Sequence, residues 1–203
     1  MKFLLKRLTG AYRLDILFNH KKRMRLGAFL CGLLGIGIFT ADQLLKASIE
    51  RQPDDTFPRD VPGTNGAARY EKCRNDGFML GTFREQPELV RIFPAVLTAG
   101  LFGRLVTLFG LPGRAAEKLG LTLAVSGAAS NVWDRLTRGY VVDFLSIKKG
   151  FLAKIVINLG DIAIFAGAFT IAAGSLLSSI TSTFSSVLPS ASAFPAAFRG
   201  KKD

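Results

Sequence analysis

The sequence predicts an all-α membrane protein: a bundle of four transmembrane helices with a small extracytoplasmic, partly β domain between helices one and two. Three observations lead there. The 203-residue chain carries 27 Lys plus Arg against 15 Asp plus Glu, for a net charge of +12, yet 49% of it is hydrophobic. Its mean hydropathy is positive, at +0.30. Those properties coexist because the two kinds of residue are segregated: residues 26–41, 119–133 and 162–198 hold no charge, and residues 92–113 hold only Arg104. A bilayer core is spanned by roughly 20 mostly apolar residues. The segregation excludes a soluble nucleic-acid-binding domain, whose basic residues would lie on a folded surface, and the apolar content excludes disorder.

Residues 1–25 carry eight basic residues against Asp15 alone. They form a cytoplasmic extension, either a solvated tail or an interfacial helix with Phe3, Leu4, Leu8 and Leu17 on its apolar side. The density of charge favours a cytoplasmic N-terminus. A cleaved leader ending before Cys31 is rejected, because Leu30 is too large for the residue before such a site and the apolar run continues to Ala41. The four-span domain is expected over 26–177, with spans at about 26–48, 92–112, 117–134 and 155–177. Between the first two lies a polar segment, 49–91, rich in Pro and Gly, where Arg69–Asn75 has the makings of a short strand. Residues 178–203 form a C-terminal extension, read as irregular or interfacial over 178–198. With four spans both termini are cytoplasmic, while 49–91 and 135–154 lie outside. Arg104 lies far enough along the second span to reach the cytoplasmic interface.

Acidic residues at the ends of apolar helices are costly and invite a functional explanation. Asp42, Asp134, Asp143 and Asp161 are such residues, and a hairpin between the third and fourth spans brings the last three to one membrane face. Two carboxylates held close do not both ionise cheaply, so one keeps its proton while the other stays charged. That pair activates water and protonates a leaving nitrogen. The single histidine, His20, belongs to the opposite face, which leaves no Ser–His or Cys–His arrangement and no evident zinc or haem ligands. Cys31 lies in the first span and Cys73 in the outer segment, so no disulfide joins them.

The acids stand in a pattern. Asp42-Gln43-x-x-Lys46, Asn75-Asp76-Gly77, Asn131-Val-Trp-Asp134-Arg135, Gly139-Tyr-Val-Val-Asp143-Phe144 and Asn158-Leu-Gly-Asp161 follow one another over residues 30–177. Five motifs in this order resemble the bacterial lipoprotein signal peptidases (signal peptidase II), four-span aspartic peptidases of the inner membrane. The resemblance implies an endopeptidase that removes signal peptides from diacylglyceryl-modified prolipoproteins, cutting before the lipidated Cys. It implies Asp143 and Asp161 as the catalytic dyad, with Asn131, Arg135 and Asn158 as polar support and Asn75 holding substrate. Asp42 and Lys46 resemble structural or substrate-orienting positions, and Asp134, next to Arg135, a local ion-pair or hydrogen-bonding residue. Prolipoprotein signal peptides and membrane lipid are the implied partners, with no metal, organic cofactor or nucleic acid, and a chemistry indifferent to chelators and to serine- or cysteine-directed reagents.

The chain departs from the family pattern in three places. Ser126 and Ser130 stand where glycine is usual, Gly160 where alanine is usual, and Phe78-Met79-Leu80 where Ala-Ala-Phe is usual. Ser keeps the small-residue character that close intramembrane helix packing needs. The third departure bears on the shape of the substrate groove. Two other functions compete. A non-cleaving paralogue that binds lipoprotein signal sequences fits the groove departures and the long termini, but both acids of the dyad are kept. A proton or cation relay would distribute its acids across the membrane, whereas these cluster at helix ends.

Overall fold

The computed structural model describes residues 2–77, 82–148 and 155–187. Four long helices dominate it: α1 (Lys2–Glu50), α2 (Pro87–Phe109), α3 (Ala115–Thr137) and α4 (Leu159–Val187). Four short strands complete it: β1 (Arg59–Asp60), β2 (Ala68–Asn75), β3 (Val141–Ile147) and β4 (Val156–Ile157). The stretches Lys21–Glu50, Pro87–Phe109 and Leu159–Phe184 are long and apolar enough to cross a membrane. Their large apolar side chains point outward, among them Phe29, Ile36, Val96, Phe102 and Phe169. A continuous apolar exterior of this kind marks contact with lipid.

α3 fails the same test of apolarity because it lies at the centre. Its 23 residues reach about 34 Å at 1.5 Å per residue, but Ser126, Ser130, Asn131, Asp134 and Arg135 are all buried against other elements. Polar groups on this helix meet protein, so its hydropathy is free to fall. Arg104 of α2 is ion-paired to Glu117 of α3 at 2.6 Å, and Arg114 reaches the same carboxylate at 3.0 Å.

Small residues let α3 and α4 run in close contact. A Cβ added to Gly120 would come within 2.6 Å of the Gly167 carbonyl oxygen and 2.5 Å of Ile171. One added to Gly127 would overlap the backbone of Gly160. At the other end of the interface Gly174 faces Ala116. Packing, not propensity, selects glycine in these helices, since glycine otherwise weakens a helix interior. α4 continues to Val187, so the first part of the stretch read from the sequence as irregular or interfacial is helical. The hydroxyls of Ser179 and Thr183 donate to carbonyls four residues back, so these polar side chains find partners within the helix itself.

The sheet has the order β1-β2-β3-β4, antiparallel throughout. It therefore corrects the expectation of a β element built only between the first and second helices, because β3 and β4 come from the connection between α3 and α4. The reason is edge satisfaction: an isolated pair of strands leaves unpaired backbone, and Val141–Ile147, apolar but for Asp143 and Ser146, supplies a second central strand. Val142 and Phe144 turn inward to pack on Ile49 at the end of α1, leaving Asp143 between them to face the other way. Lys72 of β2 fixes this end of α1, donating to the carbonyls of Glu50 and Gln52 at 3.1 and 2.8 Å.

The close α3–α4 approach has a direct consequence. Gly127→Ala is expected to lower the melting temperature of the purified protein, since overpacking costs about 1–3 kcal/mol. Gly103→Ala, on α2 with nothing within 4 Å of the added Cβ, is expected to leave it unchanged or slightly raised. Thermal unfolding of the two variants side by side checks this.

Candidate active site

Asp161 sits in the first turn of α4, held by a reciprocal cap. The Asn158 side-chain oxygen accepts from the Asp161 N–H at 2.8 Å, and the Asp161 carboxylate accepts from the Asn158 N–H at 3.2 Å. This is a capping box written with Asn and Asp. Asp42 of α1 adds a third contact to the same helix end, accepting from the Gly160 N–H at 3.0 Å. The cap leaves the Asn158 amide nitrogen free to donate to Asp143 at 2.7 Å. One fully buried asparagine therefore joins both acids.

Asp143 takes a second bond, from the Asn75 amide at 3.0 Å. Its reach depends on an irregularity in β2. Tyr70 pairs with Leu145 and Cys73 with Asp143, so β2 advances three residues while β3 advances two. Without that extra residue Lys72 would stand opposite Asp143, and Asn75 would point to the far face of the sheet. The Asn75 side-chain oxygen accepts from the Gly77 N–H at 3.1 Å, which fixes the amide with its nitrogen toward Asp143. Arg135 braces the same turn, donating to the Gly77 carbonyl at 3.1 Å and lying buried in the wall behind it.

Behind the acids lies a sealed ionic network. The Lys46 ammonium contacts Asp42 at 2.6 Å, Asp134 at 2.9 Å and the Asn131 side-chain oxygen at 2.8 Å. Lys46, Asp42 and Asp134 are all 0% exposed. The Asn131 amide, its oxygen held by Lys46, donates to Asp161 at 2.8 Å. Asp134 also pairs with Arg138, one helical turn on, at 2.5 Å. Adjacent residues on a helix point in different directions, whereas residues four apart share a face. Gln43 and Ser130 were missed as members of this network: Gln43 donates to Asp134 at 2.9 Å and Ser130 to Asp42 at 2.6 Å. For Ser130 the signal was the spacing of Ser126, Ser130, Asp134 and Arg138, four residues apart along one helical face.

Asp143 and Asp161 both line a groove of about 510 Å³ between α2, α3, α4 and the sheet, together with Asn75, Asn131, Arg135 and Cys73. A larger hollow of about 670 Å³ between α1, α2 and α3, lined by side chains such as Ile36, Phe39, Phe102 and Trp133, holds no carboxylate. Both acids of the pattern lie in the smaller one. Burial, and next the Asp161 carboxylate beside it, push the Asp143 carboxyl up to about 7, against the hydrogen bonds from Asn75 and Asn158. Among the described residues no group of three or more His, Cys, Asp and Glu is placed to hold a metal ion. Phe78, Met79 and Leu80 lie outside the described residues.

The wider likeness of this arrangement agrees with its motifs. Residues 34–177 match the family model for signal peptidase (SPase) II. The lipoprotein signal peptidase of Pelotomaculum thermopropionicum is 38% identical over 136 residues, 66% of this chain and 84% of that protein. That of Moorella thermoacetica is 31% identical over 140 residues, 66% of this chain and 85% of its own length. The match to the Wigglesworthia glossinidia brevipalpis lipoprotein signal peptidase, 31% identical over 94 residues, spans 61% of that protein. A bacterial membrane enzyme solved by the in meso method at 2.3 Å superposes with a TM-score of 0.61 at 21% identity, over 74% of this chain and 89% of the other, which is a likeness of fold. With most of its length matched, the chain belongs to the signal peptidase II family.

Proposed function

We propose that this protein is an aspartic endopeptidase that removes signal peptides from diacylglyceryl-modified prolipoproteins, cutting before the lipidated Cys. The observation that carries the reading is the meeting of Asp143 and Asp161 on one buried asparagine, at the edge of a groove that opens between membrane helices. The proposed frame is a four-span domain over 26–177, with α3 as the least apolar span, preceded by a basic extension (1–25) and followed by a C-terminal one (178–203). Both termini face the cytoplasm. The dyad then lies near the outer face of the bacterial inner membrane, where the lipidated residue of a translocated precursor resides. Acyl chains and the apolar signal helix enter the groove from the bilayer side, so binding energy comes from lipid and peptide together.

The two acids divide the work. Asp143, raised to about 7, holds the proton. Asp161 serves as the base of the pair, its carboxylate accepting N–H bonds from Asn131 and Asn158 at the first turn of α4. Asp161 takes a proton from water as the oxygen attacks the scissile carbonyl, and Asp143 gives its proton to the carbonyl oxygen. On collapse of the tetrahedral intermediate the proton on Asp161 passes to the leaving nitrogen, and Asp143 regains one from the diol. Asn75, Asn131, Arg135 and Asn158 support these positions, while Asp42 and Lys46 hold the helices that present them.

Purified protein incubated with a diacylglyceryl-modified prolipoprotein in detergent is expected to convert it to the shorter form, read as a gel shift. Asp143→Asn and Asp161→Asn are each expected to lower the rate by about a thousandfold or more, without loss of membrane insertion. Substantial cleavage by either variant overturns the assignment. The dyad also predicts a pH profile. Below about 7 Asp143 keeps its proton; above it both acids ionise and the proton donor is lost. The rate is therefore expected to fall on the basic side with an apparent midpoint near 7. A profile flat from pH 6 to 9 contradicts it.

A further inference from the structure

Cys73 stands opposite Asp143 in the strand register and lines the same groove as both acids. Side chains of directly opposed residues in an antiparallel pair lie on one face, close enough to touch a common ligand. The extra residue in β2 that turns Asn75 toward Asp143 therefore turns Cys73 there too, two residues along the strand. The thiol is free and half-buried, and burial, with Asp143 next, raises its pKa above the ordinary value, so it is neutral. No hydrogen bond or ion pair of the site described above employs it. A neutral side chain of modest size beside a reacting acid shapes what fits there.

We infer that Cys73 is a specificity-determining residue: it forms the sheet-side wall of the substrate groove next to Asp143 and limits the size of the residue lying beside the scissile bond. The inference rests on the proposed peptidase reading and deepens it. It also changes the expectation for thiol reagents. The chemistry needs no thiol, but an adduct on Cys73 fills space that the substrate requires.

The test uses the full-length protein in detergent, separate samples being treated with methyl or with benzyl methanethiosulfonate, each forming a mixed disulfide and releasing methanesulfinate. Cleavage is expected to fall with adduct size, by at least about tenfold for the benzyl group. Cys73→Ala, or Cys73→Ser should the first fail to fold, is expected to resist the reagent, with the same rate of cleavage before and after treatment. Cys31→Ala is expected to remain sensitive. With prolipoproteins carrying Gly, Ala or Leu immediately before the lipidated Cys, Cys73→Leu is expected to shift the Gly-to-Leu ratio of kcat/KM toward Gly by about tenfold. A second readout is independent of cleavage: in the Asp143→Asn protein, bound prolipoprotein is expected to slow labelling of Cys73 and not of Cys31. Protection without cleavage by the unmodified enzyme would refute the peptidase reading while leaving the wall in place. Full labelling of Cys73 with unchanged cleavage, labelling unaffected by bound prolipoprotein, or a thiol that does not react in the folded protein would each overturn the inference.

Discussion

A lysine ammonium sealed among three helices governs the geometry of this site. Lys46 has three N–H donors and uses one each on Asp42, Asp134 and the Asn131 side-chain oxygen. Burying any one of these charges alone would cost several kcal/mol. Together with Arg138 the group holds two cations and two anions, so the buried cluster is neutral. Its net effect on stability is small compared with its effect on position, because each partner is tolerated only where the others stand.

Position then passes outward through amides. Lys46 holds the Asn131 oxygen, which leaves the Asn131 nitrogen directed at Asp161. Asp42, held by the same lysine, caps the first turn of α4 at Gly160. That turn carries the Asn158–Asp161 box, and Asn158 delivers the last bond to Asp143 on the sheet. Glycine makes the chain of contacts short enough: a side chain on Gly160 would press on the Gly127 carbonyl, the Asn158 side-chain oxygen and Asp42 itself, at 2.9, 3.0 and 3.2 Å. The alanine usual here in the family is met by glycine in this chain, which trades helix propensity for room beside the cap.

Much of this was legible in the sequence, for reasons that can be named. Long uncharged runs announce helices that face lipid, because hydrocarbon tolerates little else. Acids at helix ends announce themselves by their cost. The partners of those acids were harder to read. Asp134 pairs with Arg138, four residues on, a matter of helical phase that its immediate neighbour Arg135 obscures in the sequence. The sheet's second half was hidden because β3 is seven residues long and interrupted by Asp143, so it reads as a loop. The aim of Asn75 and Cys73 depends on one extra residue in β2, and no composition or periodicity marks it. Gln43 and Ser130 look like ordinary polar neighbours until three helices enclose them. Local pattern reveals what faces lipid; what faces protein is settled by packing.

The central claim is that the charges around Lys46 act as one balanced unit, and a double-mutant cycle in thermal stability tests it most directly. Lys46→Met leaves two buried anions to share one cation, and Asp42→Asn leaves a cation in excess. The combined variant leaves only the Asp134–Arg138 pair, which is neutral. The two single variants are expected to unfold at clearly lower temperature, and the double variant to be more stable than the sum of their losses by about 1–3 kcal/mol. Losses that simply add would mean that the two residues are independent, and that the network does not hold the site together.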